Sequence, residues 1–594
     1  MNTAEILVNL LEADSNKFIF GHPGEQILPF YKALKDSSIM HVLTRHEQAA
    51  AHAADAYARS IGEYGICIST AGPGAMNLVM GVSTAFKDSV PMLVITGDND
   101  YSTRDCDIFQ SFPINSVFEN ITVKSFHPHD AESAVYNMIE ALIILHNYPK
   151  GPVHINLSRD VLLEDSDLEL IDLEKIDLKD IGLELSDLKS LNANVNDLSI
   201  DSLNEIYDSF RFSHISSEGS EEFSQNSSLN VDGLINLSIE KLQLAEKPLI
   251  IIGNGIVWSK SIDKLKDFLS KTSLPVVTTY HSKGIISEYD KLNLGIVGIR
   301  GNSLSNYAYK NADLILVLGA KLSERTIGAS DFDTVYDKII HVNIDKNCLK
   351  GSINICTDLS SYMNRILSEL SEDGSVFCVD NGWLDEIYSN YDELIVDGID
   401  DIDENYNPLR PPYAINRIVS SFKGAYFISD AGTHTTWTTL LVKSDSFGKL
   451  LFSGGFGPMG YGLSGAIGVA FALKKKAIDE KVVVICGDGD IQMVIQELAT
   501  LKEYDLNISV FIINNSELGI IRQWEETIYG FESFEVDLNN PDFEKLADAY
   551  GIGSIDVCDK NSLDLAIDGA LSSNGPFIAN VHVVRENIPL PDTK

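Results

Sequence analysis

Short β-branched runs alternate with longer segments of helical periodicity along this chain, and the alternation occurs three times. Before residue 160, the runs KFIFG, MHVLT, YGICIST, PMLVITG and PVHINL are separated by helical candidates such as EQILPFYKAL and EQAAAHAADAYARS. The same pattern returns at about 247–345 and 425–583. Neighbouring parallel strands need a crossover helix, so the pattern predicts βαβ units. We therefore predict an α/β protein with three tandem doubly wound parallel-sheet domains.

Two acidic stretches interrupt this pattern and predict linkers. From Leu163 to Ser190 the chain has ten acidic residues against three lysines, and the Ser/Asn-rich tract SHISSEGSEEFSQNSSLN follows. We predict an inserted linker with one weak amphipathic helix and a mobile polar part. A shorter connector, DGIDDIDENYNPLRPP, precedes the third domain. The predicted units are an N-terminal domain 1–162, the insert 163–230, a middle Rossmann-like domain 231–372, a linker 373–412 and a C-terminal domain 413–594.

The charge and cysteine content disfavour several classes of protein. The formal net charge of −41 and the pI of about 4.5 disfavour the basic face that binding to nucleic acid or an anionic membrane requires. The seven cysteines form no CxxC pair, which favours reduced thiols in a cytoplasmic protein over disulfides or a zinc site. The N-terminus does not resemble a signal peptide, and the longest apolar runs are of strand length.

Polar side chains follow two strands of the predicted third sheet. Asp488 lies between Gly487 and Gly489 after the run VVVIC, and Asn515 ends the run ISVFIINN. The carboxyl ends of parallel strands meet at one edge of a sheet, so the two side chains should lie close together. Carboxylate and amide oxygens suit Mg²⁺ or Ca²⁺, and a helix N-terminus after the glycines favours a phosphate. A tight turn with two incidental polar residues is the simpler alternative.

The segment between these strands carries an apolar stripe of helical spacing. Such a stripe packs a crossover helix against its sheet. We predict one helix here, with its buried face at Ile491, Val494, Ile495 and Leu498.

Asn515 follows Asp488 by 27 residues, and this spacing resembles the motif of thiamin-diphosphate-dependent enzymes. In that family, the Asp, the second Asn and a backbone carbonyl two residues later hold Mg²⁺ against the diphosphate. The resemblance implies that Asp488, Asn515 and the carbonyl of Glu517 are the metal ligands. It also implies that Gly487, Gly489, Asp490 and Gly519 adjoin the cofactor.

The N-terminal domain supplies the second half of the resemblance. Glu47 begins the Ala-rich helical segment EQAAAHAADAYAR, where negative charge is favoured by the helix dipole. On its own, a glutamate at this position is most often only a favourable charge at a helix N-terminus, without a catalytic role. The resemblance implies that it protonates N1′ of the aminopyrimidine ring, and that Gly72, Pro73 and Gly74 of STAGPGAMN contact the cofactor.

Two glycine-containing segments of the third domain complete the resemblance. SGGFGPMGYGLSGAIG, residues 453–468, has seven glycines and one large apolar side chain near its centre, Met459. In the family, such a residue props the cofactor in a bent conformation, and Gly457 would adjoin it. A glycine-rich loop with a core methionine is the alternative. By the same resemblance, SDAGTHTTW would place Gly432, Thr433 and His434 near the diphosphate.

The segments NNSELGIIRQWEETIYG and QELATLKEYDL look like the catalytic subunits of acetolactate (acetohydroxyacid) synthases. This resemblance implies a carboligase that decarboxylates pyruvate and transfers the hydroxyethyl group to a second 2-oxoacid, pyruvate or 2-oxobutyrate, in branched-chain amino acid biosynthesis. Trp524 would shape the acceptor pocket, although a surface aromatic residue is the alternative. Phe109 and the catalytic Gln110 would lie at the entrance, and Glu25 stands where the branch normally has glycine, on the substrate side.

Departures from the branch leave FAD binding open. Arg300 stands where the branch has His, Lys321 for Arg and Ser323 for Asp. The glycines of GNG, residues 253–255, suit a nucleotide or a plain strand–helix turn. A related 2-oxoacid decarboxylase, or another carboligase without FAD, therefore remains an alternative. A catalytically idle binding or regulatory relative would be expected to lack Glu47 or the metal ligands.

The resemblance also implies an assembly. In the family, the residues that correspond to Glu47 and Asp488 come from two subunits, which predicts a homodimer or homotetramer. A small regulatory subunit is a further partner that the family allows. Small-molecule 2-oxoacids are the expected substrates, and no nucleic acid or membrane partner is expected.

Overall fold

Three sheets of six parallel strands organise the chain. The computed structural model describes residues 1–589, with the exception of 15, 104–105, 167–169, 172–174, 177, 180–182, 186–192, 195–199, 213–229, 329–331, 373–381 and 391–407. Each sheet lies within one of the three predicted domains, and helices cover both faces. The predicted fold class is therefore confirmed, whereas the domain boundaries stay predictions.

The first sheet has the strand order β2-β1-β3-β4-β6-β5. Its inner strands are apolar runs because both faces are covered by helices, and every residue of β3 and β6 is buried. The strands are β1 Phe18–Gly21, β2 Met40–Leu43, β3 Gly65–Ser69, β4 Met92–Asp98, β5 Lys124–Phe126 and β6 Pro152–Ser158. The helices are α1 Thr3–Ala13, α2 Leu28–Lys35, α3 Glu47–Ile61, α4 Pro73–Asp88, α5 Ile114–Phe118, α6 Ala131–His146 and α7 Arg159–Leu163.

The predicted insert contains regular structure among its described residues. The predicted helix is present as α8 Ile200–Ser209, and its buried residues Leu203, Ile206 and Tyr207 join the core of the first domain. Leu183–Leu185 pairs antiparallel with Phe210–Phe212, and Leu170–Ile171 with Ala193–Asn194. The polar tract predicted to be mobile lies almost wholly outside the described residues.

The second sheet has the order β9-β8-β7-β10-β11-β12. Its strands are β7 Pro248–Ile252, β8 Val276–Thr278, β9 Asn293–Ile296, β10 Leu314–Leu318, β11 Ile339–Asn343 and β12 Ile353–Cys356. Its helices are α9 Val231–Leu244, α10 Gly255–Trp258, α11 Ile262–Thr272, α12 Ser303–Asn311, α13 Glu324–Ile327, α14 Phe332–Val335, α15 Leu359–Glu372 and α16 Gly382–Ser389.

The third sheet has the order β14-β13-β15-β16-β18-β17. Its strands are β13 Tyr426–Ser429, β14 Leu450–Leu451, β15 Val482–Gly487, β16 Ile508–Asn514, β17 Gly553–Val557 and β18 Phe577–His582. Its helices are α17 Pro411–Ser421, α18 Thr433–Leu441, α19 Tyr461–Lys476, α20 Asp488–Met493, α21 Leu498–Glu503, α22 Gly519–Trp524, α23 Phe543–Ala549 and α24 Lys560–Ser572. Residues 391–407 of the second predicted connector lie outside the described part of the chain.

The prediction of one continuous helix between β15 and β16 is wrong. α20 ends at Met493, a 3₁₀ turn covers Ile495–Glu497, and α21 starts only at Leu498. Val494 leaves the helical region, with φ −139°, and its buried side chain packs over Gly460. The apolar stripe is buried at three of its four positions all the same, and Ile495 is half-buried.

The first and third domains meet along α3 and α19, which approach closely because both helices carry small residues. A Cβ atom at Gly468 would overlap the carbonyl oxygen of Ala53, and one at Gly465 would lie 3.3 Å from Ala56 Cβ. Glycine and alanine therefore set the separation of the two helices. This seam fixes the orientation of the N-terminal domain against the C-terminal sheet.

A buried ionic cluster ties all three domains together beside this seam. Arg59 donates to Asp55 at 2.7 Å and to Asp88 at 2.8 Å. The hydroxyl of Tyr461 donates to Asp55 at 2.8 Å, and His281 Nε2 lies 3.2 Å from Asp88. The paired charges of Arg59, Asp55 and Asp88 all belong to the first domain, and Tyr461 and His281 attach the third and second domains to them.

A helix that crosses a membrane must have about 20 predominantly apolar residues. Among the described helices, none combines the length and the apolar character that crossing a membrane requires.

Candidate active site

The two predicted metal ligands lie at the carboxyl edge of the third sheet. β15 and β16 are hydrogen-bonded neighbours, with Gly487 opposite Ile513. Asp488 opens α20 directly after β15, and Asn515 is the first residue beyond β16. The strand register therefore brings both positions to one edge, as the sequence predicts.

Asp488 is buried against the end of β16. Asn540 Nδ2 donates to its Oδ2 at 2.6 Å. Burial raises the pKa of the Asp488 carboxyl, while hydrogen bonds from Asn540 and from the backbone N–H groups of Ser516 and Asn515 lower it. A cation next to this carboxylate would offset the cost of burying its charge. The environment of Asp488 therefore fits a metal ligand.

The two asparagines after β16 have different surroundings. Asn514 Nδ2 donates to Asn580 at 3.0 Å, and its Oδ1 accepts from Asn540 at 3.0 Å, so its amide is used within the protein. Asn515 instead lines a cavity; its Oδ1 accepts from the Glu517 backbone N–H at 3.2 Å, and its Nδ2 donates to Glu517 Oε1 at 3.3 Å. Of the two asparagines, the second is thus the one that lines the cavity.

The side chain of Glu517 is paired with two arginines. Its carboxylate accepts from Arg522 Nε at 2.8 Å and forms an ion pair with Arg585 at 3.3 Å. Ser516 precedes it with a φ of +55°, in the left-handed region, which bends the chain sharply after β16. With its carboxylate engaged, the main-chain carbonyl is the group that Glu517 can offer, in agreement with the resemblance.

These residues border a cavity of ≈ 290 Å³ between the third and second domains. Its lining includes every predicted site residue of the C-terminal domain: Gly432, Thr433, His434, Gly457, Met459, Gly487, Asp488, Gly489, Asp490, Asn515, Glu517, Gly519 and Trp524. The middle domain contributes Tyr280, Arg300 and Arg325.

Buried polar atoms in this cavity have no protein partner among the described residues. His434 Nε2 lies 3.4 Å from Asp490 Oδ2 without a hydrogen bond, and Asp490 Oδ1 also lacks one. Burial lowers the pKa of His434 to about 3, so its ring is neutral at neutral pH. Burial and the nearby Asp430 charge raise the pKa of the Asp490 carboxyl. Unsatisfied buried groups of this kind indicate a site built for a polar ligand.

The glycine-rich loop is held by Asp430, a residue that the sequence analysis did not single out. Its carboxylate accepts from the N–H groups of Gly460 at 3.0 Å and Gly462 at 2.8 Å. Gly460 has a φ of +91°, a conformation open to glycine. The loop sets Met459 against the cavity, and a Cβ at Gly489 would lie 3.1 Å from Met459 Cε.

The predicted N-terminal residues form a second group. Glu47 is the first residue of α3, and Asn77 Nδ2 donates to its Oε2 at 2.9 Å. A Cβ at Gly74 would lie 3.2 Å from Glu47 Oε1, and one at Gly72 would lie 2.8 Å from the Gln110 carbonyl oxygen. The sequence thus identified residues that meet in space, and Pro73 starts α4 between the two glycines.

Within one chain, the two groups stay apart. No described residue of the N-terminal domain lines the cavity. Phe109 is 77% exposed, and the exposed Glu25 forms an ion pair with Arg159 at 3.4 Å. The single chain therefore presents two halves of a site, one on the first domain and one on the third.

Sequence reasoning missed part of the cavity lining. Tyr280 and Arg325 face it from the middle domain, and Arg300 was noted only as a departure from the acetolactate branch. Burial and the neighbouring Arg325 charge lower the pKa of the Arg300 guanidinium. Neither arginine forms an ion pair with a described residue. Only the unusual Arg300 gave a signal in the sequence.

Comparisons with known proteins agree with this geometry. The C-terminal TPP binding domain of thiamine pyrophosphate enzymes matches residues 430–581, the N-terminal TPP binding domain matches residues 1–121, and the central domain matches residues 235–370. The chain belongs to the thiamine pyrophosphate enzyme family. Thiamine pyrophosphate is another name for thiamin diphosphate, so the predicted family is confirmed.

Individual relatives of this thiamine pyrophosphate enzyme carry a common printed name. A "Probable acetolactate synthase large subunit" from Methanocaldococcus jannaschii is 33% identical, over 98% of this chain and 92% of the relative. An "Acetolactate synthase large subunit" from Cyanidium caldarium is 32% identical, over 96% of this chain and 91% of the relative. The resemblance to the acetolactate branch is therefore confirmed along nearly the whole chain.

The residues present fit the cofactor of this family. Polar atoms of His434 and Asp490 without a hydrogen bond belong to the cavity lining, and a Cβ at Gly457, which also lines it, would meet no protein atom within 4 Å. A backbone that approaches without side chains, next to a helix N-terminus, suits a diphosphate.

The GNG turn, by contrast, needs no nucleotide to explain it. A Cβ at Gly253 would overlap the backbone of Gly319 and Ala320, and one at Gly255 would lie 2.8 Å from Gly319 Cα. Close approach of two strand–helix turns therefore accounts for these glycines. Lys321 donates to Ser89 at 2.6 Å. No contact of this turn or of Lys321 favours FAD.

Proposed function

We propose that this thiamine pyrophosphate enzyme is an acetolactate synthase-type carboligase. It would decarboxylate pyruvate and transfer the hydroxyethyl group to a second 2-oxoacid. The proposal depends on the cavity at the carboxyl edge of the third sheet. Asp488, Asn515 and the predicted cofactor-binding glycines of the third domain line this cavity together. The likeness to acetolactate synthase large subunits over nearly the whole chain supports the same conclusion.

In this proposal, the C-terminal domain anchors the cofactor through its diphosphate. Asp488, Asn515 and the carbonyl of Glu517 would hold Mg²⁺, because hard oxygen ligands suit that ion. The N-terminus of α18 and the neutral His434 would face the diphosphate. Bound thiamin diphosphate would supply the electron sink that decarboxylation needs. Met459 would press on the cofactor from the glycine-rich loop.

Glu47 would supply the proton transfer at the aminopyrimidine ring. Its group of residues lies outside the cavity of its own chain, and this supports a homodimer in which two chains complete each site. A homotetramer would contain the same pairs. Gly72, Pro73, Gly74 and Gln110 would join the site from the same side as Glu47.

The middle domain gives the cavity a preference for organic anions. Arg300 and Arg325 place two guanidinium groups in its lining without a described ion-pair partner. A guanidinium binds a carboxylate through two parallel hydrogen bonds. This charge, inside a strongly acidic protein, supports 2-oxoacids as substrates.

Product analysis tests the proposal directly. Purified protein with Mg²⁺ and thiamin diphosphate is given pyruvate, with and without 2-oxobutyrate. Acetolactate, and acetohydroxybutyrate with both substrates, are the expected products. Acetaldehyde as the main product would instead identify a 2-oxoacid decarboxylase, the alternative that the departures at Glu25 and Arg300 keep open. No turnover of either acid would contradict both.

Trp524 is proposed to favour the larger acceptor. It is half-buried and lines the cavity at the end of α22. Trp524→Leu is expected to reduce the preference for 2-oxobutyrate over pyruvate by about 10-fold, because one methylene in an apolar pocket is worth about that much. Competition between the two acids, read from the product ratio, measures it. Phe534→Leu, at an exposed position of the same domain, is the control.

Three further expectations stay proposals. The words "large subunit" in the relatives' names support a small regulatory subunit as a partner. The flavin absorbance of the purified protein would show whether it binds FAD. The contacts of the GNG turn and of Lys321 do not favour FAD binding. The cytoplasmic location stays a prediction.

A further inference from the structure

Glu497 is a buried carboxylate that reaches from the third domain to the first. It lies in the 3₁₀ turn between α20 and α21 and is fully buried. Its Oε1 accepts from the backbone N–H of Arg45 at 3.0 Å and of His46 at 2.9 Å. Thr500 Oγ1 donates to its Oε2 at 2.7 Å. The carboxylate is thus fully used, and two of its three partners belong to the other domain.

The two N–H groups lie immediately before the helix that carries Glu47. His46 is the N-cap of α3, with its Nδ1 accepting from the N–H of Gln48 at 3.1 Å. The direction in which a chain enters a helix fixes the placement of the first residues of that helix. Glu497 therefore binds the backbone directly before Glu47, the first residue of α3.

The Glu497 contact is not needed merely to hold the first and third domains together. The first and third domains are already joined by the α3–α19 seam and by the hydrogen bond from Tyr461 to Asp55 in the cluster around Arg59. Burial raises the pKa of the Glu497 carboxyl, and hydrogen bonds from Thr500 and the N–H groups of Arg45 and His46 act against that rise. A buried carboxylate that accepts hydrogen bonds from two consecutive backbone N–H groups fixes the position of the backbone at those two residues.

We propose that Glu497 is a positioning residue that holds the Arg45–His46 backbone and thereby aims the Glu47 carboxylate at the cofactor. This inference rests on the proposed function. It has a consequence for the two-chain site. The metal ligands of the same C-terminal domain serve one site, whereas Glu497 serves the site to which Glu47 of its own chain contributes.

The first test compares two glutamates that both contact Arg45. Glu497→Gln removes the negative charge that accepts hydrogen bonds from the two backbone N–H groups. Glu503→Gln removes only the exposed ion pair with the Arg45 guanidinium, in which the two atoms lie 2.6 Å apart. The readouts are kcat, cofactor affinity, thermal unfolding, and hydrogen–deuterium exchange at C2 of the bound cofactor, followed by quenched-flow NMR. The last reports activation of the cofactor directly.

Glu497→Gln keeps an oxygen but loses the charge that makes the two hydrogen bonds from the N–H groups about twice as strong. We expect the loosened backbone to slow C2 exchange and kcat by about 100-fold, the effect of displacing a reacting group by roughly 1 Å. Cofactor affinity should stay within about threefold, since the diphosphate anchor is untouched. Glu503→Gln should match wild type. Unchanged C2 exchange in Glu497→Gln would overturn the proposal. If that variant fails to fold, Glu497→Asp, which keeps the charge on a shorter arm, is expected to show the same slowing, and wild-type exchange there would overturn it as well.

The second test uses mixed dimers isolated with two affinity tags. A dimer of Glu497→Gln and Asp488→Ala chains should recover roughly half of wild-type activity, because both defects fall in one of two sites. A dimer of Glu497→Gln and Glu47→Gln chains should stay inactive. The opposite pattern would show that Glu497 serves its own domain's metal site. Failure of Glu47→Gln and Asp488→Ala chains to complement would refute the two-chain site itself, independently of Glu497.

Discussion

Glu47→Gln is expected to lower kcat by about 10³-fold, within the range that general acid–base groups contribute. The amide cannot exchange a proton with the aminopyrimidine ring, although it keeps the size of the side chain and an oxygen that can accept from Asn77. Cofactor affinity should change little, because the diphosphate and metal are held by the C-terminal domain. Steady-state kinetics with pyruvate and calorimetric titration with thiamin diphosphate measure the two effects.

Glu63→Gln is the matched control for this variant. Glu63 follows the same helix and forms an exposed ion pair with Lys475 at 2.7 Å. We expect it to behave as wild type, since exposed pairs contribute little to stability. Wild-type turnover by Glu47→Gln would remove Glu47 from the mechanism.

Asp488→Ala is expected to abolish the Mg²⁺-dependent retention of the cofactor. The variant removes one of the proposed metal ligands. Replacing a residue that only hydrogen-bonds to a metal ligand lowers metal affinity by about 10- to 100-fold. For the ligand itself we therefore expect the affinity for thiamin diphosphate at saturating Mg²⁺ to fall by about 100-fold or more. The cofactor content after gel filtration, with and without Mg²⁺, measures the loss. The C2 chemistry cannot be assayed in this variant unless cofactor is supplied in excess.

Two comparisons make this result specific. Asp564→Asn, which removes an exposed ion pair with Arg417 on the same domain, should retain the cofactor as wild type does. The cofactor-free Asp488→Ala protein should unfold at a temperature no lower than that of the cofactor-free wild type, because the carboxylate is costly to bury without a cation. Tight, Mg²⁺-dependent retention by Asp488→Ala would overturn the metal assignment.

The sequence predicted the central strands of each sheet and missed strands at the edges. All the apolar runs named above are strands, and all but one of them are central. The unpredicted strands β5, β9, β12, β14 and β17 are each the outermost strand on one side of a sheet. Four of these five strands are interrupted by polar residues or glycine, and β14 has only two residues, so none of them forms a continuous apolar run. β2, the remaining edge strand, was recognised from the run MHVLT.

Local sequence was also a good guide to each half of the site and a poor guide to what joins them. Strand register carried Asp488 and Asn515 to one edge, because one βαβ unit contains both. Arg325 and Asn540 reach the same place through tertiary packing, which no local pattern encodes. The break at Val494 depends on contact with Gly460 of the glycine-rich loop, so helical periodicity alone predicted an unbroken helix.

The seam between α3 and α19 limits how proteins of this kind can be recombined. Residues 163–230 and 391–407 look like natural crossover points for chimeras because they fall between the sheets. A chimera joined there would pair Ala53 and Asp55 from one parent with Gly468 and Tyr461 from another. Any parent with a side chain at position 468 would force the helices apart, since a Cβ there already overlaps the Ala53 carbonyl. Viable hybrids must therefore inherit both helices from the same parent or take α19 from a parent that also has glycine at position 468.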